Sequence, residues 1–146
     1  MYVSRLDNSV ESTLLIIKPD GTSRNLQSTI YDMLEARLMI HMERESLIHE
    51  ASIEQLEQHY HEHRMRNFYA DLISFMRSGP IAVSVWRGPQ GTINAVRSVV
   101  GSTDPMYAQD GTIRKLYGQS KQMNVVHASD SASSANREIL IWFGST

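Results

Sequence analysis

The sequence predicts a single α/β domain, on three observations. Short apolar runs that read as strands alternate with stretches whose apolar residues recur every three or four positions, in the order β-α-β-α-α-β-α-loop-β-α. Gly, Pro and Asp gather between these segments, where they punctuate them. The length, 146 residues, is that of one ordinary domain. Such a chain buries roughly two thirds of its unfolded surface in one core. No linker, low-complexity stretch or internal repeat divides it. The expected organisation is a flexible, polar tail over residues 1–12 and one domain over 13–146.

Thr13-Leu14-Leu15-Ile16-Ile17 is a compact apolar run stopped by Lys18-Pro19-Asp20-Gly21, so a buried strand should end there in a turn. Leu26, Ile30, Met33 and Leu34 have helical spacing. Leu38–Met42 and Ser46–Ile48 suggest a second strand, interrupted by Glu43, Arg44 and Glu45. Ile53, Leu56 and Tyr60 mark a short helix; Phe68, Leu72, Phe75 and Met76 mark another, closed by Ser78-Gly79-Pro80. Ile81–Trp86 alternates apolar with small residues and reads as a strand. Ile93, Val96 and Val100 trace a helix ending at Gly101. Residues 101–123 have no clear period and read as a loop, of a length that is usually functional. Asn124–His127 is a short strand, and Ala135 and Ile139 lie on one face of a last helix that runs out at Trp142-Phe143.

Composition narrows the function classes. Lys and Arg number 14 against 16 Asp and Glu, a net charge of −2, so a nucleic-acid or anionic-membrane binder acting through bulk charge is not expected. Eleven of the 14 cations are Arg, whose planar fork pairs with phosphate or carboxylate. The absence of cysteine excludes disulfides, thiolate catalysis and cysteine metal sites. The longest apolar runs are a handful of residues, far short of a membrane span, and the N-terminus has no signal-peptide core. A cytosolic enzyme or binding domain is the expectation.

Candidate chemistry gathers near the C-terminus. His127 lies beside Val125-Val126 and is followed by Ser129, Asp130 and Ser131, which can cap a helix start. A lone His on an apolar strand can simply be a core residue, and Glu138 can simply be a solvated helix charge. Together they allow more: Glu138, on the face of Ser131 and Ser134, can hold one ring nitrogen of His127 and leave the other as nucleophile. Lys18, Arg97 and Arg114 can either gather around a phosphate chain or be three unrelated surface cations. In His59-Tyr60-His61-Glu62-His63, His59 and His63 share a helical face while His61 points away. With no third ligand nearby in sequence, this stretch reads as helix surface with one useful aromatic, Tyr60, rather than zinc site. Walker-type and protein-kinase signatures are absent.

Asn124-Val125-Val126-His127-Ala128-Ser129-Asp130 resembles the active-site segment of nucleoside diphosphate kinases, Asn-x-x-His-Gly/Ala-Ser-Asp around a phosphorylated histidine. The resemblance runs from about Thr13 to Phe143. It includes Thr13–Gly21, His59-Tyr60, Phe68-Tyr69-Ala70-Asp71-Leu72, Ser78-Gly79-Pro80, Thr103-Asp104-Pro105 and Gly111-Thr112-Ile113-Arg114, in the family's order. It implies a ferredoxin-like α+β sandwich, βαββαβ, with a four-stranded antiparallel sheet covered by helices. It implies transfer of the terminal phosphate of a nucleoside triphosphate such as ATP to a nucleoside diphosphate, in two steps through a phosphohistidine. Mg2+ travels on the nucleotide phosphates rather than in a protein site. Carried onto matching positions, His127 is the nucleophile and Glu138 orients its ring. Arg97, Thr103 and Arg114 meet phosphate, Lys18 and Asn124 the sugar hydroxyls, Phe68 the base, and Tyr60 the transferred phosphate. The resemblance also implies a homo-oligomer, a hexamer rather than a tetramer, with nucleotides as partners and neither nucleic acid nor membrane.

The chain departs from the family pattern in places. Lys115-Leu116 follows Arg114 where Gly-Asp is usual, and Asp110 and Asn67 stand where prolines are common. Ala128 replaces the commoner Gly, and two extra residues fall between Gly21 and Tyr60. The altered 110–123 loop motivates an alternative, a nucleotide-binding pseudoenzyme with a regulatory or scaffolding role.

Overall fold

Strand β1 (Val10–Ile17) decides the architecture. Leu14 and Ile16 point to one side of the sheet and Leu15 and Ile17 to the other, and all four are fully buried. A strand buried on both faces requires a layer of helices on each. The structure, a computed structural model, describes residues 10–144 and supplies both layers. Strands β2 (His41–Ile48), β3 (Ile81–Pro89) and β4 (Val126–Ala128) join β1 in the order β2-β3-β1-β4, every neighbouring pair antiparallel. Among the described residues seven α-helices accompany them: α1 (Pro19–Thr22), α2 (Gln27–Arg37), α3 (Ile53–His59), α4 (Tyr69–Met76), α5 (Thr92–Val100), α6 (Ile113–Tyr117) and α7 (Ala132–Phe143). This is the ferredoxin-like sandwich, with β1 and β3 central.

Helices α2, α5 and α6 cover the Leu15, Ile17 and Trp86 face through Ile30, Leu34, Val96 and Ile113. Helices α3, α4 and α7 cover the Leu14, Ile16 and Val83 face through Leu56, Leu72, Met76 and Trp142. Each fully buried Leu or Ile contributes roughly 1.5–3 kcal/mol. The α3–α4–α7 layer also carries residues toward the end of β4, where the site forms.

Four boundaries differ from the sequence expectation. Strand β1 starts at Val10, because Glu11 has a tertiary partner: its carboxylate accepts the Gly91 and Ile93 N–H groups at 3.0 Å each, capping α5 from a distance. The rest of the expected tail, residues 1–9, lies outside the described residues. The interrupted second strand is continuous over His41–Ile48 with a bulge at Glu43. The bulge shifts register, so Met42 packs on the α2 side while Ile48 packs on the α3 side. The 101–123 loop contains a 3-10 turn, Pro105–Tyr107, and the short helix α6. Strand β4 begins at Val126, two residues later than expected, because Val125 leaves extended geometry at φ 79°. No helix among the described residues is long and apolar enough to cross a membrane.

Candidate active site

Three chain segments converge at the end of β1. Val125 is the pivot: a β-branched residue at positive φ is strained, by about 1–3 kcal/mol, and persists only where its surroundings hold it. Here its N–H donates to Asp20 Oδ2 at 3.1 Å and its carbonyl accepts the Lys18 N–H at 2.8 Å. The kink lets Asn124 turn toward Lys18 while the following residue, Val126, enters the sheet. His127 then pairs with Ile16 across the β1–β4 ladder.

Helix α7 delivers the second group. Ser131 caps its first turn, accepting the Ser134 N–H at 3.1 Å, and the buried Glu138 follows two turns on. Glu138 Oε1 lies 2.9 Å from His127 Nε2 and accepts the Ser129 hydroxyl at 2.7 Å. Ser129 is itself fixed, because its Oγ accepts the Leu14 N–H at 3.1 Å. An ionised carboxylate only accepts, so the proton on His127 sits on Nε2 and Nδ1 keeps its lone pair. Among the described residues Nδ1 has no hydrogen-bond partner, and it is not among the sealed atoms, so it is open to the cavity.

That cavity has a volume of about 550 Å³ and is lined by His127, Glu138, Lys18, Tyr60, Phe68, Arg97, Thr103, Arg114 and Asn124, among others. All nine residues singled out in the sequence therefore meet in one place. Lys18 Nζ donates to Asn124 Oδ1 at 2.8 Å, and Asn124 Nδ2 donates to the Thr103 carbonyl at 2.9 Å. Arg114 donates to the Gly101 and Val126 carbonyls at 2.9 and 2.7 Å, tying α6 to the strand that carries His127. Gly101 (φ 96°) is required there, since a Cβ would lie 2.6 Å from Thr112 Oγ1. Phe68 is half-exposed at the cavity, with Arg66 stacked 5.7 Å from its ring centre.

Two of the cations, Lys18 and Arg114, are desolvated, while Arg97 reaches the cavity from an exposed position. Burial, reinforced by Arg114 and opposed by Asp20, lowers the pKa of Lys18 to about 7. Burial and the neighbouring Arg97 lower Arg114 to about 10. Burial, with Glu138 nearby, raises the phenol of Tyr60, whose hydroxyl is sealed and partnerless. Desolvated positive groups of this kind favour an anionic ligand, because binding it restores what burial took away.

The sequence reading of His59 as helix surface is corrected. Its side chain is only 3% exposed, and Trp142 Nε1–H donates to its Nδ1 at 3.1 Å. Its ring centre lies 4.4 Å from that of His127. Its burial depends on α7, 83 residues away, so no local signal could have shown it. Lys121, which no motif marked, and Asp130, expected only as a helix cap within the His127 segment, also line the cavity from the segments flanking β4.

His59, His127 and Glu138 place three potential ligand atoms within 4.8 Å of one another. They do not fit a resident metal. Trp142 requires the lone pair of His59 on Nδ1, so its Nε2 carries the proton and cannot ligate. A hard cation that travels on phosphate oxygens needs no such cage.

Comparison with known proteins agrees with this geometry. The family model described as "Nucleoside diphosphate kinase" matches residues 11–146. A curated relative named nucleoside diphosphate kinase, from Brevibacillus brevis, is 39% identical over 142 residues, covering 92% of this chain and 89% of its own length. Another of that name, from Persephonella marina, is 41% identical over 137 residues and covers 92% and 94%. The crystal structure of nucleoside diphosphate kinase from Encephalitozoon cuniculi superposes with a TM-score of 0.88 at 32% identity, covering 92% of this chain and 90% of that one. These comparisons support the kinase and lend nothing to the pseudoenzyme alternative. The chain belongs to the nucleoside diphosphate kinase family of nucleotide phosphotransferases.

Proposed function

We propose that the chain exchanges the terminal phosphate between nucleoside triphosphates, ATP among them, and nucleoside diphosphates through a phosphohistidine at His127 Nδ1. The single observation that carries this is the Glu138–His127 hydrogen bond of 2.9 Å, which commits the proton to Nε2 and turns a free lone pair toward a cation-lined cavity. A neutral imidazole is a good nucleophile near neutral pH, and its P–N bond is readily reversed.

The remaining roles follow from position. Glu138 orients the ring and accepts its Nε2 proton. Arg97, Arg114 and Thr103 meet the phosphates, where the guanidinium groups, that of Arg114 held by two carbonyls, offset the charge spread over the transferred oxygens. Lys18 and Asn124, already bonded to each other, meet the sugar hydroxyls. Tyr60 lines the cavity and is the proposed aromatic near the transferred phosphate. Phe68 stacks on the base through its ring face, which tolerates purines and pyrimidines alike. Enzymes of this family generally need a divalent cation. Mg2+ is the proposed ion, carried in as the metal–nucleotide substrate, where it would help offset phosphate charge. We place the activity in the cytosol, in upkeep of nucleotide pools, and the chain in a homo-oligomer, a hexamer rather than a tetramer.

Incubation with ATP labelled in its terminal phosphate should leave acid-labile, base-stable label on the protein, and ADP should remove it. His127→Asn should take no label. Label on that variant equal to wild type would place the nucleophile elsewhere. Double-reciprocal plots with two nucleotides should be parallel, because one site serves both half-reactions.

A further inference from the structure

His59 ends helix α3, and its imidazole is sealed between that helix, α7 and the end of β4. Two facts about it have no place in the mechanism above. Its Nδ1 accepts the indole N–H of Trp142 at 3.1 Å, and its Nε2 is buried with no hydrogen-bond partner among the described residues. Indole only donates, so Nδ1 must hold the lone pair and Nε2 must hold the proton. The tautomer of His59 is thus set by α7, the same helix that carries Glu138.

We propose that His59 is a positioning residue for phosphoryl transfer at His127, kept as a non-accepting neighbour by Trp142. The proposal rests on the kinase reading of His127. The two rings are 4.4 Å apart between centres and steeply inclined, at 75°. Near its Nε2–H, His127 has two conceivable acceptors, the Glu138 carboxylate and the buried imidazole of His59. If His59 offered a lone pair on Nε2, His127 could swing its proton there, and Nδ1 would turn away from the cavity. With Trp142 holding the lone pair at Nδ1, His59 presents only a proton. Glu138 is then the acceptor left for His127, and the nucleophilic nitrogen keeps facing the nucleotide. His59 itself moves no proton during transfer.

The surroundings keep His59 neutral, as this requires. It faces His127 from β4 and Glu138 from α7, and it feels the charge of Arg137, Lys18 and His63. Burial first, and His127 and these cationic or protonatable groups next, hold its pKa well below the ordinary histidine value.

Trp142→Phe keeps an aromatic ring but removes the N–H that sets the tautomer. Single-turnover phosphorylation by ATP should slow roughly 10–100-fold, by analogy with the loss of outer partners that orient metal-bound histidines. The KM for nucleotide should stay near wild type, because no cavity cation is touched. Adding His59→Phe to Trp142→Phe removes the competing acceptor and should restore much of the rate. A merely structural pair would instead lose activity further in the double variant. In the wild-type protein, nitrogen NMR should show His59 protonated on Nε2 and bare on Nδ1, a measurement that does not depend on any variant folding. A bare Nε2 in that spectrum, a Trp142→Phe enzyme as fast as wild type, or a double variant slower than the single one would each overturn the proposal. None of those results would disturb the kinase reading, which falls only if the wild type takes no phosphate from ATP.

Discussion

At the scale of single residues, Lys18 makes the sharpest statement about binding. In the free protein its ammonium is driven from 10.5 to about 7, chiefly by burial and further by Arg114. Between those two values the unfolded chain holds a proton that the folded chain lacks, so stability rises with pH across that window on account of this group. An anionic nucleotide favours the charged form, and binding above neutral pH should therefore take up a proton at Lys18. Titration calorimetry with ADP, run slightly alkaline in two buffers of different ionisation enthalpy, reads this uptake directly. Lys18→Arg stays charged throughout and should abolish it; identical enthalpies in the two buffers for wild type would refute the assignment. His127, Lys18 and Arg114 were legible because short motifs bring them to notice, and Glu138 because helical spacing places it on the face of Ser131 and Ser134. His59 was not, because its neighbour Trp142 is 83 residues away and only tertiary packing joins them.

At the scale of elements, legibility followed the regularity of the local pattern. Strand β3 and helices α4, α5 and α7 have unbroken apolar periods, and each lies close to where its pattern placed it. Strand β2 did not read as one element, because the bulge at Glu43 changes which residues face each layer and so breaks the two-residue period. Helix α6 was hidden for a different reason: five residues are too few to display a helical period, and Gly101 and Thr112 hold it by contacts beyond its own sequence. Helix α7 matters most to function, since it carries Glu138 and Trp142 together. Its cap, Ser131, satisfies the Ser134 N–H. Ser131→Ala should lower stability by about 1 kcal/mol, read as a shift in the urea midpoint, while Ser131→Gly should cost only a few tenths. Equal stability of wild type and Ser131→Ala would mean that the cap contributes nothing and that α7 is held by packing alone.

At the scale of the whole molecule, the question is how the proposed oligomer tolerates Asp110 where the family resemblance leads one to expect proline. Residues Gln109–Thr112 form a tight turn, with the Thr112 N–H donating to the Gln109 carbonyl at 3.2 Å. Gly111 has φ 85° and Asp110 is not in the positive-φ region, which makes this a type II turn with Asp110 at its second position. Proline is favoured at that position, because its fixed φ matches the turn. The Arg37 guanidinium donates to the Gly111 carbonyl at 2.7 Å, so the turn is braced against α2 and cannot easily relax. Met106, Tyr107 and Leu116, on the segments flanking the turn, are 72%, 75% and 53% exposed in the single chain, an apolar surface suited to a neighbouring copy. Asp110→Pro should therefore fit the existing backbone and stabilise the loop by roughly 0.4–1 kcal/mol through the unfolded chain. A loop ordered in advance loses less entropy when copies pack against it, so dissociation should move to higher urea and lower protein concentration. Light scattering over a dilution series, on wild type and Asp110→Pro side by side, measures both shifts. A wild type that scatters as a monomer at every concentration would remove the oligomer from the proposal, and a less stable Asp110→Pro would show that the aspartate has a partner the turn geometry does not reveal.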